Sequence, residues 1–406
     1  MSYQKDITPR SLSNILKNQK NLKRLNLTQT QVNDQVLHLI ANSCQCLEEL
    51  SLRDCKSIYD DCLLYLTNIL SRKLTSLNVD NVFLTDDCVK QILIECTLLK
   101  FLYTDNLVRV INSMTQESNI AYVFNLETIY CDNTNVYMQQ PQFNCLTFSC
   151  PKLKCIQITC FGSNEILGSL KEFKALNQLI ISNQNVVVYK FDNNLVNYFM
   201  LNGHQLRKLH LIHVCDVNIQ TIIQNCMNLS ELVVEFSQYY TPFGITIDYE
   251  LTELEQKMLP DLKYLNTISM GNFSINEKKT NLNIELFKFD LKLLIKKAIN
   301  LKNLRFDRFN FINDEFFNDL MKFSFEQNAS KIEKIELIKL NQLSMNVINR
   351  HLLFHETKVL PIHSENRFKR LKNVYLIDCK LITKVNFEVA IKKLKSFNLD
   401  CLLKWS

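Results

Sequence analysis

A short apolar pattern, LxxLxL, recurs along the whole 406-residue chain and limits what the chain can fold into. Its first apolar residues (position 1 of each unit) are predicted to be Leu22, Leu47, Leu74, Leu99, Leu126, Leu153, Leu176, Leu206, Leu229, Leu262, Leu301, Ile332, Leu371 and Leu394. The first five intervals between them are 25, 27, 25, 27 and 27 residues. A fixed period of this length is the signature of a repeat array, in which each unit packs on its neighbours.

Helical periodicity fills the space between the predicted strands. In residues 32–44 and 84–96, Asn33 or Thr85 precedes an aspartate, which supplies an N-cap and negative charge at a helix start. Apolar residues then follow at i, i+3 or i+4 and i+7, so that one helix face packs on the strand layer. These features predict an α/β leucine-rich repeat solenoid, a horseshoe of about 14 repeats with a parallel concave sheet and convex helices.

We expect one domain over residues 1–406, because the chain contains no low-complexity linker. Residues 1–21 are predicted to form an N-terminal half-repeat or cap, with the helix half in residues 6–16. The longer intervals predict insertions between repeats at 238–259, 271–300 and 341–370, and insertions of this kind map to loops that often bind. Within the second of these, residues 282–299 predict an extended convex helix whose solvated side carries Lys288, Lys292, Lys296 and Lys297.

Cysteines recur at two positions of the repeat. They stand three residues before position 1 in Cys44, Cys96, Cys150 and Cys226, and eight residues after it in Cys55 and Cys379. Together with the segments 47–55 (LEELSLRDC) and 150–153 (CPKL), these cysteines resemble the cysteine-containing leucine-rich repeat of F-box/leucine-rich-repeat ubiquitin-ligase subunits and of antagonist-of-mitotic-exit-type proteins. Good matches cover roughly residues 5–160, 206–237 and 371–381. The resemblance implies a protein-binding scaffold that acts as a substrate-recognition or adaptor subunit.

The resemblance is not complete at either end of the sequence. We find no F-box ahead of the repeats, because residues 6–16 already read as the helix half of a repeat, so another chain would have to supply any link to a ligase. At the other end, residues 402–406 are expected to follow the last strand without a closing helix. Because solenoid ends carry polar caps, we expect either Trp405 or a neighbouring protein to cover that end.

Composition sets the expected compartment. No apolar run approaches the length of a membrane span, and residues 1–20 lack the apolar core of a signal peptide. Most of the 15 cysteines fall at repeat positions that should be buried, where a thiol behaves as a small hydrophobe. We therefore predict a soluble protein of a reducing compartment, the cytoplasm, with the nucleus or cilium as alternatives. A net charge of +6 in this length does not indicate a nucleic-acid or membrane partner.

The alternation of side chains along a strand converts the repeat into a predicted surface. Positions 4 and 6 point into the core, while positions 3, 5 and 7 point to the concave face. In repeats three to five, position 7 holds three aspartates in one column, next to exposed aromatic side chains. Acidic and aromatic groups together favour a protein partner with a basic segment, and the alternative is that aspartate is merely tolerated on a wet face. The predicted partner-binding residues are Arg53, Asp80, Phe101, Tyr103, Asp105, Tyr130 and Asp132.

Two later parts of the pattern carry further assignments. With Leu262 at position 1, Tyr264, Asn266 and Ile268 are predicted to lie on the concave face. A basic patch, Lys302, Arg305 and Arg308 with Asp307 between them, is expected around the eleventh repeat, with ordinary surface ion pairing as the alternative.

No motif in the sequence indicates catalysis, a cofactor or a metal. The five glycines form no phosphate-binding loop. Cys145, Cys150, Cys155 and Cys160 are evenly spaced by five, without the close pairs that zinc sites favour. The pair His351 and His355 lacks the HExxH order, and His210 and His213 have opposite parity on a strand. We therefore predict a protein that is not an enzyme.

Three functions remain open from the sequence. The first is an interaction scaffold that binds a partner on its concave face, as a recognition or adaptor subunit related to ubiquitin-ligase repeat proteins. The second is a structural subunit of a large ciliary, axonemal or cytoskeletal assembly, whose neighbours cover the solenoid ends. A GTPase regulator ranks last, because position 9 does not carry that family's asparagine ladder: it reads Thr30, Cys55, Val82, Leu107 and Thr134.

Overall fold

The computed structural model describes most of the chain in two compact units, Met1–Asn177 and Gln178–Ser406. The described residues are 8–117, 122–131, 140–159, 165–182, 189–214, 217–235, 251–271, 281–309, 311–323, 331–353, 370–396 and 402–405. Both units have the same design, in which short parallel strands alternate along the chain with helices. This confirms the predicted α/β leucine-rich repeat fold.

Among its described residues, the first unit contains six strands, which pair in parallel and in chain order from β1 to β6. Its elements are α1 Pro9–Leu16, β1 Arg24–Asn26, α2 Asp34–Ser43, β2 Glu49–Ser51, α3 Asp60–Leu70, β3 Ser76–Asn78, α4 Asp86–Glu95, β4 Phe101–Tyr103, α5 Leu107–Glu117, β5 Thr128–Cys131, α6 Gln140–Ser149, β6 Cys155–Ile158 and α7 Glu165–Gly168. The 25–27-residue period therefore corresponds to one strand and one helix.

The described part of the second unit contains the next eight strands, again parallel and in chain order from β7 to β14. Its elements are β7 Gln178–Ser182, α8 Asn193–Asn202, β8 Lys208–Ile212, α9 Ile219–Asn225, β9 Glu231–Glu235, α10 Glu253–Met258, β10 Thr267–Gly271, α11 Asn281–Lys297, β11 Asn303–Asp307, α12 Asp314–Phe323, β12 Lys334–Ile338, α13 Met345–Ile348, β13 Asn373–Ile377, α14 Lys384–Ser396 and β14 Leu402–Trp405. The predicted insertions at 238–259, 271–300 and 341–370 lie partly outside the described residues.

The strand leucines form the core, as the alternation predicts. Leu50, Leu77 and Leu102 stand directly opposite one another in β2, β3 and β4, and each is at most 2% exposed. Their neighbours in the strands are half-buried. Because burying a leucine side chain contributes about 1.5–3 kcal/mol, this column is a main source of stability in the first unit.

The helix starts follow the local signals in the sequence. The Asn33 side chain accepts a hydrogen bond from the backbone amide of Val36 at the start of α2, and Thr85 does the same for the amide of Cys88 at the start of α4. Each satisfies a backbone donor that would otherwise lack a partner. None of the described helices is long and apolar enough to cross a bilayer.

The repeat cysteines are core residues. Cys44, Cys96, Cys150 and Cys226 are at most 2% exposed. Cys55 and Cys379, at position 9 of their repeats, donate to equivalent backbone oxygens of the preceding repeat. The acceptor is the Leu27 carbonyl, 3.0 Å from Cys55 Sγ, in one case and the Leu337 carbonyl, 3.4 Å from Cys379 Sγ, in the other. Burial raises the pKa of both thiols, which therefore stay protonated.

A left-handed residue ends the strand segment in many repeats. Among the described residues, seven non-glycine positions have positive φ, and all seven lie at position 8: Gln29, Asp54, Asn81, His213, Arg308, Lys339 and Asp378. This conformation lets the amide at position 8 donate to the position 7 carbonyl of the next repeat, as from Gln29 to Arg53 at 2.8 Å and from Lys339 to Ile377 at 2.7 Å. The turn therefore extends the hydrogen bonding between repeats by one residue.

The predicted register is wrong in the tenth repeat. In β10, Ile268 pairs with Leu232 of β9 and is fully buried, so position 1 is Leu265 rather than Leu262. Tyr264 and Asn266 consequently lie before the strand instead of within it. The physical reason is that leucine or isoleucine stands at 262, 265 and 268, and this even spacing satisfies two registers.

Two further assignments are wrong in the second unit. Leu394 lies within α14, and the last described strand is Leu402–Trp405, whose Leu403 pairs with Val374. The predicted long helix is present as α11, but Lys297 is only 8% exposed and its ammonium donates to the Leu259 carbonyl oxygen. Lys297 is therefore not part of a solvated lysine face.

Candidate binding face on the first unit

Positions 3, 5 and 7 of the first unit lie on one side of its sheet, which we call the open face. In β1–β4 every residue at these positions is half-buried or exposed, whereas position 4 of β2–β4 is buried. The predicted site residues Arg53, Phe101, Tyr103 and Tyr130 all lie on this face. The parallel pairing of the strands keeps equal positions side by side on this face: Asn78 stands opposite Tyr103, and Phe101 stands opposite Thr128.

Two tyrosines form the centre of the open face. The rings of Tyr103 in β4 and Tyr130 in β5 lie 4.8 Å apart between centroids and are tilted by 59°. Burial raises the pKa of both phenols, and the neighbouring Tyr130 phenol raises that of Tyr103 further. Both side chains are half-buried and stay neutral. They provide a rigid apolar surface with hydroxyl groups, the kind of surface that protein interfaces favour.

The predicted column of three aspartates is not a uniform row of unpaired acids. Arg53 Nε lies 3.1 Å from Asp80 Oδ2 and 3.5 Å from Asp54 Oδ2. Asp105 is exposed next to the tyrosines, and Asp132 lies outside the described residues. Arg53 pairs with Asp80, and Asp105 is the exposed carboxylate beside the aromatic residues among the described members of the column.

Backbone geometry fixes the direction of these position 7 side chains. The Asn78 side chain, at position 5, accepts a hydrogen bond from the amide of Asp80 at 3.1 Å. Asn26 binds the amide of Thr28 in the same way at 3.0 Å. Asparagine at position 5 thus stabilises the turn that follows the strand, a role that sequence reasoning missed.

A charge ladder runs along the sheet edge where the strands begin. Glu127, at position 2, lies 3.3 Å from the Lys100 ammonium and 2.8 Å from the Lys154 ammonium. These contacts, with the Lys154 hydrogen bond as the main cause, lower the pKa of the Glu127 carboxyl. The alternation of Lys, Glu and Lys at position 2 could have been read from the sequence once the repeat was aligned.

The second unit has an open face of a different kind. Arg305 lies 2.9 Å from Asp307 and 3.8 Å from Glu235, two strands away across β10. Between Glu235 and Asp307, position 7 of β10 is Gly271, where an added Cβ would lie 3.1 Å from the Asp307 Cβ. Arg308 also pairs with Asp307, at 3.0 Å.

Most charged side chains of this second face therefore form ion pairs with other residues of the same face. Lys302, the third member of the predicted basic patch, lies 3.8 Å from Glu333. All three cations of the patch have carboxylate partners, which agrees with the alternative of ordinary surface ion pairing.

The described residues contain no group of three or more His, Cys, Asp or Glu that could hold a metal ion. His210 contacts Glu231 at 2.9 Å, and His351 contacts Asn318 at 2.6 Å. His355 and Cys160 lie outside the described residues.

Comparison with known proteins places the fold but not a family. The sequence matches no protein-family model and no curated protein. A crystal structure of the yeast Rad7–Elc1 complex is similar with a TM-score of 0.51 and 17% identity, over 95% of this chain and 76% of that one. An internalin, InlF, of Listeria monocytogenes gives a TM-score of 0.47 and 15% identity, over 98% of this chain and 89% of that one.

Proposed function

We propose that the chain is a non-catalytic scaffold that binds a protein partner on the open face of its first unit. The observation that carries this proposal is the Tyr103–Tyr130 pair beside the exposed Asp105. Together with Phe101, these residues put aromatic surface and one negative charge in the same place on a rigid sheet. Tyrosine is enriched among the residues that dominate protein–protein binding energies.

The chemistry of the face specifies the partner further. An arginine or lysine side chain can stack on the tyrosine rings and meet the Asp105 carboxylate, which combines cation–π attraction with charge pairing. Arg53 is already engaged by Asp80 and limits the site on the side of β2. We therefore propose that the partner presents a basic segment with Arg or Lys to β4 and β5.

Within this function we favour a recognition or adaptor role. A similar fold occurs in a crystal structure of the yeast complex of Rad7 with another protein, Elc1. The cysteine pattern of the repeats supports the same role, since it resembles that of ubiquitin-ligase recognition subunits. A recognition subunit needs a constant scaffold and a variable exposed face, and the repeat design supplies both.

The test compares three forms of the full chain in quantitative affinity purification with mass spectrometry. They are wild type, the double variant Tyr103→Ala/Asp105→Lys, and the control Phe83→Ala. Phe83 is 81% exposed and lies outside positions 3, 5 and 7, so it is a matched exposed aromatic residue. Hot-spot residues cost about 2 kcal/mol or more when truncated, which is about 30-fold in affinity.

We expect at least one partner to be lost with the double variant and retained with wild type and Phe83→Ala. Proteins of a ligase core among the lost partners would support the adaptor role, and stoichiometric structural proteins would support the assembly alternative. If every partner binds the double variant as it binds wild type, the open face of β4 and β5 is not the binding surface.

A further inference from the structure

A second surface of the first unit lies at the edge where the strands begin and the helices end. It contains a cavity of about 140 Å³ between the end of α4 and the segment 122–126. Ile94, Leu99, Tyr122 and Val123 are among its lining residues. This edge is opposite to the one that carries Asp105, so the surface is separate from the proposed partner site on the open face.

The wall formed by the segment 122–126 is held in place by backbone and side-chain contacts. The amide of Phe124 donates to the Ser149 carbonyl at 2.7 Å, and the rings of Tyr122 and Phe124 stack with centroids 6.2 Å apart. Asn125 Nδ2 donates to the Thr97 carbonyl at 2.8 Å, which ties the segment to the end of the neighbouring repeat. The cavity is therefore a built feature between two fixed walls.

Large apolar side chains are exposed around the cavity. Ile94 is 50% exposed, Val123 is 64% exposed, and Leu98, in the turn after α4, is 46% exposed. Single exposed apolar residues are normal on a protein surface, but several around one cavity mark a binding site. A dry apolar cavity of about 150 Å³ is known to hold benzene, so this one has room for a single apolar or aromatic side chain.

The surroundings of the cavity carry an excess of positive charge. The Lys152 ammonium lies 2.7 Å from Oδ1 of Asn125, a lining residue, and the exposed Arg72 lies at the equivalent edge of the third repeat. The Lys100–Glu127–Lys154 ladder borders the lining residues Leu99 and Leu126 and adds one further positive charge. We call Arg72, Lys152 and the ladder, which lie along the edge that carries the cavity, the charged rim.

One carboxylate opposes this charge. Glu95, next to Ile94, has Oε1 engaged by Gln91 Nε2 at 2.9 Å along α4. With Arg72 and Lys152 in addition to the ladder, the rim keeps a net charge of +2.

We propose that this edge binds an acidic segment of a partner protein and that an apolar or aromatic residue of the segment enters the cavity. The anchor would bury Ile94 and Val123, and the flanking carboxylates would meet Lys152 and Arg72. Nucleic acid and anionic membranes also favour positive charge, but neither explains a one-side-chain cavity next to it. The combination of cavity and charge selects a protein segment with both features.

The probe for this proposal is a random peptide display library selected on the immobilised full chain. A synthetic peptide of the most enriched sequence is then titrated against wild type, Val123→Asp, Lys152→Glu and the control Lys17→Glu. Val123→Asp puts a negative charge at the cavity, and Lys152→Glu reverses the charge beside Asn125. Lys17 is an exposed lysine after α1, three repeats away, so its reversal changes the net charge equally. Circular dichroism verifies that each variant is folded.

The proposal expects enriched peptides with net negative charge and at least one large apolar residue. Their affinity should fall about tenfold or more with Val123→Asp and with Lys152→Glu, stay within about twofold with Lys17→Glu, and weaken as salt is raised. No enrichment, or enriched peptides without acidic bias, would overturn it. Equal affinity for all four proteins would do the same.

A parallel titration with a single-stranded RNA oligonucleotide and with phosphatidylserine vesicles separates the other sources of negative charge. If either binds wild type and is lost with Lys152→Glu, while the selected peptide is not, the edge is a polyanion surface and the proposal is wrong. Binding at this edge does not depend on Tyr103 or Asp105, so its failure leaves the open-face proposal standing.

Discussion

Replacing the left-handed residue at position 8 should change stability in a direction set by backbone conformation and not by side-chain burial. Lys339 is exposed, has a φ of 52°, and its amide donates to the Ile377 carbonyl at 2.7 Å. A residue with a Cβ pays about 1–2 kcal/mol for this conformation. Glycine removes that cost but loses about 0.5–1 kcal/mol in backbone entropy. The expected effect of Lys339→Gly therefore ranges from neutral to about 1.5 kcal/mol more stable.

Lys339→Val has the opposite effect for the same reason. A β-branched residue is a genuine outlier in the left-handed region, so the chain must either accept the strain or give up the hydrogen bond to Ile377. That hydrogen bond contributes about 0.5–1.5 kcal/mol. We expect Lys339→Val to be about 2 kcal/mol less stable than Lys339→Gly. Lys380, an exposed residue of the next turn without positive φ, is the control, and Lys380→Val should change stability by less than about 0.5 kcal/mol.

Native-state hydrogen exchange with mass spectrometry on peptides spanning β12 and β13 is the suitable assay, since repeat arrays open locally. A difference of 2 kcal/mol corresponds to about 30-fold in the exchange rate of the protected amides. If Lys339→Val and Lys339→Gly exchange at the same rate, position 8 does not require a left-handed residue, and our account of the turn is wrong.

Three further results follow from buried or paired groups. Burial raises the pKa of Asp290 to about 6, despite its hydrogen bond from Gln220. As the pH rises above the unfolded-state pKa near 4, the buried carboxyl must become charged, and the free energy of unfolding of the wild type falls. Urea titrations should therefore show Asp290→Asn to be about 2–3 kcal/mol more stable than wild type at pH 8, and equally stable at pH 4. The lowered pKa of Glu127 has the opposite effect on stability. The charged carboxylate stabilises the fold above its unfolded-state pKa, and this stabilisation is lost as the pH falls through its folded-state pKa. Glu127→Gln should thus flatten the loss of stability in acid, and an unchanged acid titration would remove the charge ladder as a source of stability. Among the described cysteines only Cys46 is exposed, so it should react first with a thiol reagent, and equally rapid labelling of buried Cys55 would contradict the packing.

The sequence predicted the fold correctly where its period is regular. From Leu47 to Leu153 each interval is 25 or 27 residues, and the structure places β2–β6 in that register. Two independent signals, alternation in the strands and capping at the helix starts, agreed in this region. The consistency of local and long-range signals is what makes such a prediction reliable.

The register predicted from the sequence is wrong where the apolar pattern itself is ambiguous. Leucine or isoleucine at 262, 265 and 268 fits two alignments, and only hydrogen bonding to β9 selects the one with Ile268 inside. Leu394 failed for a related reason, because an apolar residue of an amphipathic helix has the same spacing as one of a strand over a few residues. A single sequence does not contain the strand partner that decides between such alternatives.

Alternation predicted which side of the strands the candidate residues face, but it did not predict how their charges pair. Alternation placed Tyr103, Tyr130 and Asp105 on one face, and the structure has the two tyrosines in contact. The pairing of Arg53 with Asp80 depends on the long arginine side chain reaching across one strand spacing, a three-dimensional contact that a column of residue letters does not reveal. The cavity beside Val123 was also missed, because it arises where the coil of residues 122–126 replaces a helix end.

Hydroxyl-radical footprinting of the wild-type chain tests the central claim most directly, because it reads inside and outside for consecutive residues of one strand. After correction for intrinsic reactivity, we predict strong protection at Leu102 and also at Leu77, with much weaker protection at Phe101 and Tyr103. A partner bound to the open face should then protect Tyr103 without changing Leu102. If Leu102 is oxidised as readily as Tyr103 in the free protein, the alternation does not hold in β4, and the proposed binding face does not exist.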